Sequence, residues 1–222
     1  MDAVNVDIVS DVMCPWCYIG KRRMEKALAM LDSVTVNLRW RPYQLDPTLP
    51  REGRDRKAYL EAKFGGPERA KQIYQSIEET GRSEGLDFAF SAIKVSPNTI
   101  DAHRVIRWSI NEGADVQDKL VERLFILYFM EGAHLGDHDV LADAATHAGM
   151  DGEIVRSLLA TDKDRAEVEQ EIATARQMGV TGVPCFVIDN KYAVMGAQDP
   201  QYIADAIRQA AEMKSVSAPG AT

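Results

Sequence analysis

Apolar residues alternate with polar ones near both ends of the chain, and this pattern predicts short β-strands there. Residues 4–9 form a mostly apolar run, and residues 34–40 alternate strictly between apolar and polar side chains. Met24, Leu28 and Leu31 lie between them at helical spacing. The first part of the chain, residues 1–43, is therefore predicted to have the order β-α-β.

A second group of strands is predicted close to the other end. Residues 185–188 and 192–195 are strand-like segments on either side of a turn, and Pro200 occupies the first position of a helix that runs to about Met213. Residues 180–213 are thus predicted as β-β-α. The small and polar residues 214–222 are expected to form a disordered tail.

The segment 44–179 between these groups is predicted to be helical. Its apolar residues recur at helical spacing, and a glycine or a polar break ends each candidate helix. The candidates cover residues 67–80, 98–111, 115–131, 139–148, 153–160 and 162–178. The predicted fold class is α/β: a thioredoxin fold with a large all-helical domain inserted between the β-α-β and β-β-α halves. The charged stretches 51–57 and 162–171 are expected to be solvated.

Composition narrows the classes of function. The chain has 222 residues and a net charge of −8, and this acidic balance argues against nucleic acid as a partner. It contains no apolar run of about 18 residues and begins without a basic or apolar leader pattern, so no membrane association and a cytoplasmic location are expected. Three cysteines in a reducing compartment do not make a disulfide framework. The cysteines are therefore expected to serve catalysis or metal binding.

The segment Cys14-Pro15-Trp16-Cys17 carries the clearest chemical signal. It lies between a predicted strand and a predicted helix, where free backbone N–H groups and the helix dipole favour a thiolate at the first cysteine. This placement indicates a redox dithiol, with Cys14 the more exposed thiol. Half of a zinc site and an inert pair are alternatives, although Cys185 is the only other cysteine.

Three segments together resemble the DsbA-like oxidoreductases, and are most similar to their FrnE-like branch. These are residues 11–20 around the two cysteines, residues 98–104 (Asn-Thr-Ile-Asp-Ala-His-Arg), and residues 179–184, which end in Val183-Pro184. The resemblance implies dithiol–disulfide exchange, with Cys14 as nucleophile and Cys17 as resolving thiol. It also implies that Pro184 is in the cis form and faces the substrate. The candidate substrate-binding residues are Pro15, Trp16, Val183, Pro184 and His103.

Other candidate residues have two interpretations each. His103 shares a helical face with apolar residues, so it is either a core histidine or a group lining a cleft between the two domains. Cys185 is either a buried small residue or a third thiol that engages the pair. His134 and His138, each near an aspartate, are expected to be solvated, and no metal site is predicted.

The sequence thus predicts a thiol–disulfide oxidoreductase or isomerase that exchanges disulfides with protein substrates. No dissociable cofactor is expected, and glutathione is a candidate reductant. Two alternatives stay open. One is a glutathione-dependent isomerase or transferase of the same fold, which typically has serine at the position of Cys14. The other is a non-catalytic chaperone or binding module. The direction of the reaction and the oligomeric state are not assigned.

Overall fold

A computed structural model describes residues 3–217 of the chain. The strands are β1 (Val4–Ser10), β2 (Val36–Pro42), β3 (Arg54–Asp55), β4 (Val95–Ser96), β5 (Cys185–Ile188) and β6 (Tyr192–Met195). The helices are α1 (Pro15–Leu28), α2 (Arg56–Phe64), α3 (Pro67–Ser83), α4 (Ile100–Ser109), α5 (Ala114–Phe129), α6 (His138–Ala148), α7 (Gly152–Leu159), α8 (Arg165–Gln177) and α9 (Pro200–Ser217). Short 3₁₀ turns occupy Phe90–Ala92 and Ile110–Glu112.

The main sheet joins the two ends of the chain in the strand order β2-β1-β5-β6. Strand β1 runs parallel to β2 and antiparallel to β5, and β5 pairs antiparallel with β6. Val9 of β1 lies opposite Cys185 of β5. The predicted fold class is confirmed, because the β-α-β and β-β-α halves form one sheet and the helical segment leaves and returns between them.

The two faces of this sheet pack against different groups of residues. Side chains alternate between faces along a strand. Ile8 and Phe186 belong to the large core that also contains both cysteines of the Cys14–Cys17 motif. Val9 and Cys185 belong to a smaller cluster on the other face. Helices α1 and α9 pack together on the first side, and α8 contacts β2.

The inserted segment is helical apart from one feature that the sequence does not predict. Strands β3 and β4 pair antiparallel over two residues each, with Arg54 opposite Ser96. The charged stretch 51–57 was expected to be solvated, but one of its residues is not. Arg56 begins α2 and is only 4% exposed. Its guanidinium group lies over the rings of Tyr74, Phe90 and Tyr128, which provide a buried environment for the charge.

The last helix extends further than the sequence predicts. Helix α9 continues to Ser217, so residues 214–217 are helical and the prediction of a tail from residue 214 is wrong for them. Lys214 holds this end in place, because its Nζ donates to Ala3 O at 2.7 Å and to Asp189 Oδ1 at 2.9 Å. Residues 218–222 of the predicted tail lie outside the described residues. Of the helices within residues 3–217, none combines the length and apolarity required to cross a membrane.

Candidate functional site

The loop between β1 and α1 presents the two cysteines of the Cys14–Cys17 motif. Cys14 is the N-cap residue of α1 and Pro15 is its first residue, a position that suits proline because no intrahelical N–H is lost there. The Cys14 N–H donates to Asp11 O at 2.9 Å, and the Cys17 N–H donates to Cys14 O at 3.0 Å. No side chain caps this helix start. The positive end of the helix dipole therefore acts on the Cys14 sulfur directly.

A second loop covers the first cysteine. The Val183–Pro184 peptide bond is cis, and Val183 O lies 3.7 Å from Cys14 Sγ, within range of a thiol hydrogen bond. Pro184 is buried against α1 at Gly20, where a Cβ atom would lie only 2.7 Å from Pro184 Cγ. The absence of a side chain at Gly20 therefore permits the loop to approach the dithiol this closely.

Both thiols of the pair are buried, and Cys14, which was expected to be the more exposed of the two, exceeds Cys17 by only a small margin. Cys14 is 4% exposed and Cys17 is 1% exposed, whereas Trp16 between them is 37% exposed. Burial raises the pKa of Cys17 well above its usual value, and the adjacent Cys14 raises it further. Cys17 is consequently a protonated thiol at neutral pH. Of the predicted substrate-binding residues, Trp16 offers the largest accessible surface.

Helix α1 is fixed to helix α5 of the insertion. Tyr18 stacks on Phe125 with 4.9 Å between ring centroids, and its hydroxyl donates to Glu122 at 2.7 Å. Lys21, which is 4% exposed, binds Asp118 at 3.0 Å. The inserted helices thus hold the helix that carries the dithiol.

Asp11 organises the loop that carries the dithiol from inside the protein. It is fully buried, and its carboxylate accepts hydrogen bonds from Met13 N at 3.3 Å and Leu45 N at 2.8 Å. Its main chain binds Cys14 N, and a further backbone hydrogen bond reaches the Cys17 thiol. Asp11 is the first residue of the segment 11–20 around the two cysteines, but the sequence alone assigns it no role.

His103 does not line an open cleft. It is 2% exposed, and its Nε2 points towards Asp11 Oδ1 at 3.7 Å. Arg104 beside it is fully buried and binds Asp101 Oδ1 at 2.9 Å and the carbonyl oxygen of Lys163 at 2.7 Å. Arg104 therefore fixes the loop before α8. His103, in contrast, reaches the dithiol region only through Asp11.

The insertion also contributes residues near the dithiol that sequence reasoning missed. Burial raises the pKa of Tyr74, the neighbouring Arg56 opposes this, and the nearby Cys14 raises it further. Tyr74 of α3 therefore lies within electrostatic range of Cys14. No local sequence signal marks either residue, since Tyr74 lies in the predicted helix 67–80 and Arg56 in the charged stretch 51–57 that was expected to be solvated.

Cys185 is separated from the Cys14–Cys17 pair. It is fully buried with Val9, Tyr43 and Val180 on the other face of the sheet, and burial raises its pKa to about 11. The structure thus supports the interpretation of Cys185 as a small core residue.

His134, in the loop before α6, and His138, the first residue of α6, were both expected to be solvated. His138 instead binds Asp101 at 3.1 Å and is about one-third exposed. Burial lowers the pKa of His134, against the influence of Asp137. Within residues 3–217, no group of three or more His, Cys, Asp or Glu side chains is arranged to hold a metal ion.

Comparisons with known proteins agree with this geometry. The model of the DsbA-like thioredoxin domain family matches residues 5–208. A probable DsbA oxidoreductase from Streptomyces coelicolor is 32% identical, with a TM-score of 0.84, covering 99% of this chain and 93% of that one. The uncharacterized protein YwbO of Bacillus subtilis is 27% identical over 83% of this chain and 86% of its own length. The cytosolic disulfide reductase DsbM from Pseudomonas aeruginosa, solved with glutathione, shares the fold at 13% identity and a TM-score of 0.60, covering 96% of this chain and 98% of that one.

The specific FrnE-like branch stays a prediction. The family model, however, spans the sheet, the dithiol loop, the inserted helices and the first half of α9. The chain belongs to the DsbA-like thioredoxin domain family.

Proposed function

We propose that the protein is a thiol–disulfide oxidoreductase that acts on protein disulfides through Cys14 and Cys17. The observation that carries this proposal is the position of Cys14, at the start of α1 and 3.7 Å from the carbonyl oxygen of Val183. Cys14 stands at the positive end of the helix dipole, while Cys17 stays protonated in its buried position. Disulfide exchange requires one nucleophilic thiol and one resolving thiol.

The exchange has two balanced steps. In the first, the Cys14 thiolate attacks one sulfur of the substrate disulfide, a Cys14–substrate disulfide forms, and the other substrate sulfur leaves as a thiolate. In the second, Cys17 loses its proton and attacks Cys14, so the Cys14–Cys17 disulfide forms and the second substrate sulfur leaves. The substrate gains two electrons and the protein loses two. The reverse sequence oxidises a substrate dithiol.

Val183 and Pro184 are the proposed contact surface for the substrate backbone. An extended polypeptide can hydrogen-bond to exposed main-chain groups in the manner of an added strand. Trp16, 37% exposed and next to Cys14, offers an aromatic contact for the side chains around the substrate cysteine. Pro15 is buried at the helix start and shapes this surface without contacting much solvent.

Glutathione is the reductant that we propose for the oxidised protein, with no dissociable cofactor. It would return the Cys14–Cys17 disulfide to the dithiol through a mixed disulfide on Cys14. The cytosolic disulfide reductase DsbM, whose structure was solved with glutathione, has a similar fold, which is consistent with this choice. We accordingly propose that the protein works in the cytoplasm, where thiols are kept reduced.

Single-cysteine variants test the proposal. Cys14→Ser should abolish reduction of an oxidised protein substrate, and Cys17→Ser should accumulate a mixed disulfide visible by mass spectrometry. Cys185→Ala is the matched control and should retain parental turnover, because Cys185 lies on the opposite face of the sheet. Full activity in Cys14→Ser would contradict the proposal, whereas a parent protein that binds the oxidised substrate without reducing it would favour a binding module. Glutathione-dependent turnover of a non-disulfide substrate would favour the isomerase or transferase.

A further inference from the structure

We propose that a cavity between helix α8 and the sheet binds a small amphipathic carboxylate of the medium-chain fatty acid type. The alkyl chain of this ligand lies on the sheet, and its carboxylate meets Lys191 at the turn between β5 and β6. The site lies on the face of the sheet opposite the Cys14–Cys17 pair, and it does not depend on the disulfide exchange proposed above.

The first observation is a sheet face that is covered only in part. Helix α8 packs over β2, which is one edge of the sheet. At the other edge, Ala193 and Met195 of β6 stay exposed. The space between the helix and this edge is a cavity of about 480 Å³. Its volume falls within the range of about 300–1,000 Å³ that is typical of small-molecule sites.

The second observation is the apolar character of the floor and of one wall. Val9 of β1 and Val187 of β5 line the cavity from the sheet, and Ala175 and Met178 line it from α8. Met178 is 59% exposed, so its flexible thioether chain is available to a ligand and can adapt to it. These side chains suit an alkyl chain better than a sugar or a nucleotide.

The charged groups near β2 compensate one another. Arg41 of β2 binds Asp7 of β1 at 3.2 Å and Glu171 of α8 at 3.3 Å. Glu171 also binds Arg107. This end of the cavity therefore offers a ligand no uncompensated charge from the described residues.

Lys191 brings a positive charge to the opposite end of the cavity. It lines the cavity, is exposed, and forms no ion pair with another residue in the described part of the chain. The carboxylate of the nearby Asp189 is instead bound by Lys214 at 2.9 Å. Lys191 and Met195 both line the cavity, and the strand between them spans about 13 Å. An elongated ligand with a carboxylate at the Lys191 end therefore complements both the charge and the apolar lining.

The test is isothermal titration calorimetry with decanoate, below the concentration at which it forms micelles. Decanoate should bind saturably, and octanoate should bind about tenfold more weakly because it buries two fewer methylene groups. Decyltrimethylammonium carries the opposite charge and should bind more weakly than decanoate. The absence of decanoate binding at millimolar concentration would overturn the proposal, as would an equal affinity for the cation.

A charge placed in the apolar part of the cavity tests its location. Met178→Glu should weaken decanoate binding by about tenfold or more, because a carboxylate there opposes burial of the alkyl chain. Met30→Glu is the matched control, since Met30 is also exposed but lies just after α1 and does not line the cavity. It should bind decanoate as the parent does. Parental affinity in Met178→Glu would overturn the proposal.

A second pair of variants tests the position of the carboxylate. Lys191→Gln should weaken decanoate binding about twofold to fivefold, as expected for an exposed ion pair, and should leave the affinity for uncharged 1-decanol unchanged. Lys57→Gln, with a side chain that is 84% exposed on α2, is the control and should change neither affinity. Equal losses for decanoate and 1-decanol in Lys191→Gln would overturn the assignment of the carboxylate to Lys191.

Two further results separate this site from other roles of the same surface. Cys14→Ser should bind decanoate with parental affinity, so a failure of the proposed disulfide exchange leaves the site intact. Analytical ultracentrifugation tests whether a second copy of the chain occupies the cavity. A parent protein that is dimeric and binds no decanoate, with a monomeric Met178→Glu, would assign the cavity to that copy and overturn the proposal.

Discussion

Gly20 and Pro184 are in direct contact, and the fit leaves no room for a side chain between them. A Cβ atom at Gly20 would lie 2.7 Å from Pro184 Cγ and 3.3 Å from Pro184 Cβ. Gly20 is on α1, six residues after Cys14, and Pro184 follows the residue whose carbonyl oxygen faces the Cys14 sulfur. The absence of a side chain at Gly20 therefore allows the loop at Pro184 to approach the dithiol this closely.

Gly20→Ala should displace this loop and reduce disulfide exchange. Alanine gains up to about 1 kcal/mol of helix propensity over glycine, but overpacking a tight contact costs about 1–3 kcal/mol. We expect a lower midpoint in urea and a clear loss of turnover. Gly182→Ala is the matched control, since a Cβ atom there meets nothing within 4 Å. Parental turnover in Gly20→Ala would show that the contact has no role in positioning the loop.

Arg56→Ala should destabilise the protein through the loss of buried contacts. The Arg56 guanidinium donates to the Tyr128 hydroxyl at 2.8 Å and lies 5.1 Å from the Tyr74 ring centroid. A desolvated cation–π contact is worth about 2 kcal/mol, and the lost hydrogen bond adds about 1 kcal/mol. We expect a loss of about 3 kcal/mol in the free energy of unfolding. Lys57→Ala, with a side chain 84% exposed on the same helix, should change stability by less than about 0.5 kcal/mol.

Asp101→Asn should make the acid dependence of stability weaker. Burial raises the pKa of Asp101, but hydrogen bonds from Arg104 and His138 and the charge of Arg165 outweigh it, so the pKa lies below its usual value. The ionised carboxylate therefore stabilises the fold fully above the ordinary aspartate pKa of about 3.9. That contribution is lost as the pH falls through the lower pKa of the folded state.

The measurement is urea unfolding of the parent and the variant at pH 7 and near pH 3. We expect Asp101→Asn to cost about 3–5 kcal/mol at pH 7, as for a broken buried ion pair, and much less at the acid end. Asp205→Asn removes an exposed partner of Arg208 and should cost less than about 1 kcal/mol at either pH. A pH-independent difference for Asp101→Asn would show that its charge is not what stabilises the fold.

Iodoacetamide should leave Cys17 and Cys185 unmodified in the reduced, folded protein at pH 7. Thiolates are the reactive form, and a pKa of about 11 leaves roughly one Cys185 thiol in ten thousand ionised. Burial and Cys14 raise the pKa of Cys17 as well. Mass spectrometry of proteolytic fragments should locate the label on Cys14, and all three cysteines should react in 8 M urea, about the usual denaturing concentration. Rapid labelling of Cys17 in the folded protein would contradict its assignment as the protected resolving thiol.

Local patterns were sufficient to predict most of the fold. The alternation in residues 34–40 and the apolar residues 185–188 depend only on strand geometry. In the structure the first segment corresponds to β2, which begins two residues later at Val36, and the second is β5. The dithiol motif likewise lies at a strand–helix junction, as its flanking residues indicate. These features could be predicted because each is determined within about ten residues of sequence.

The remaining features depend on partners that are distant in the chain. The burial of Arg56 follows from Tyr74, Phe90 and Tyr128, which no charge pattern around residue 56 reveals. The approach of His103 to Asp11 follows from the packing of α4 against the sheet. The sequence also does not predict the face of the sheet on which Cys185 lies. The alternation of side chains along β5 places Cys185 and Phe186 on opposite faces, but it does not show which of them faces α1.

The pairing of β1 with β5 also determines when the dithiol becomes protected. Val9 lies opposite Cys185, so the central pair of strands cannot form until nearly all of the chain has been synthesised. Cys14 and Cys17 leave the ribosome long before Val183 and Pro184, the residues that cover them. Pairing between such distant segments is slow because the loop-closure entropy must be overcome first. During synthesis this nascent chain therefore exposes two thiols without the loop that later covers Cys14, and a reducing environment at that stage would protect them from incorrect disulfides.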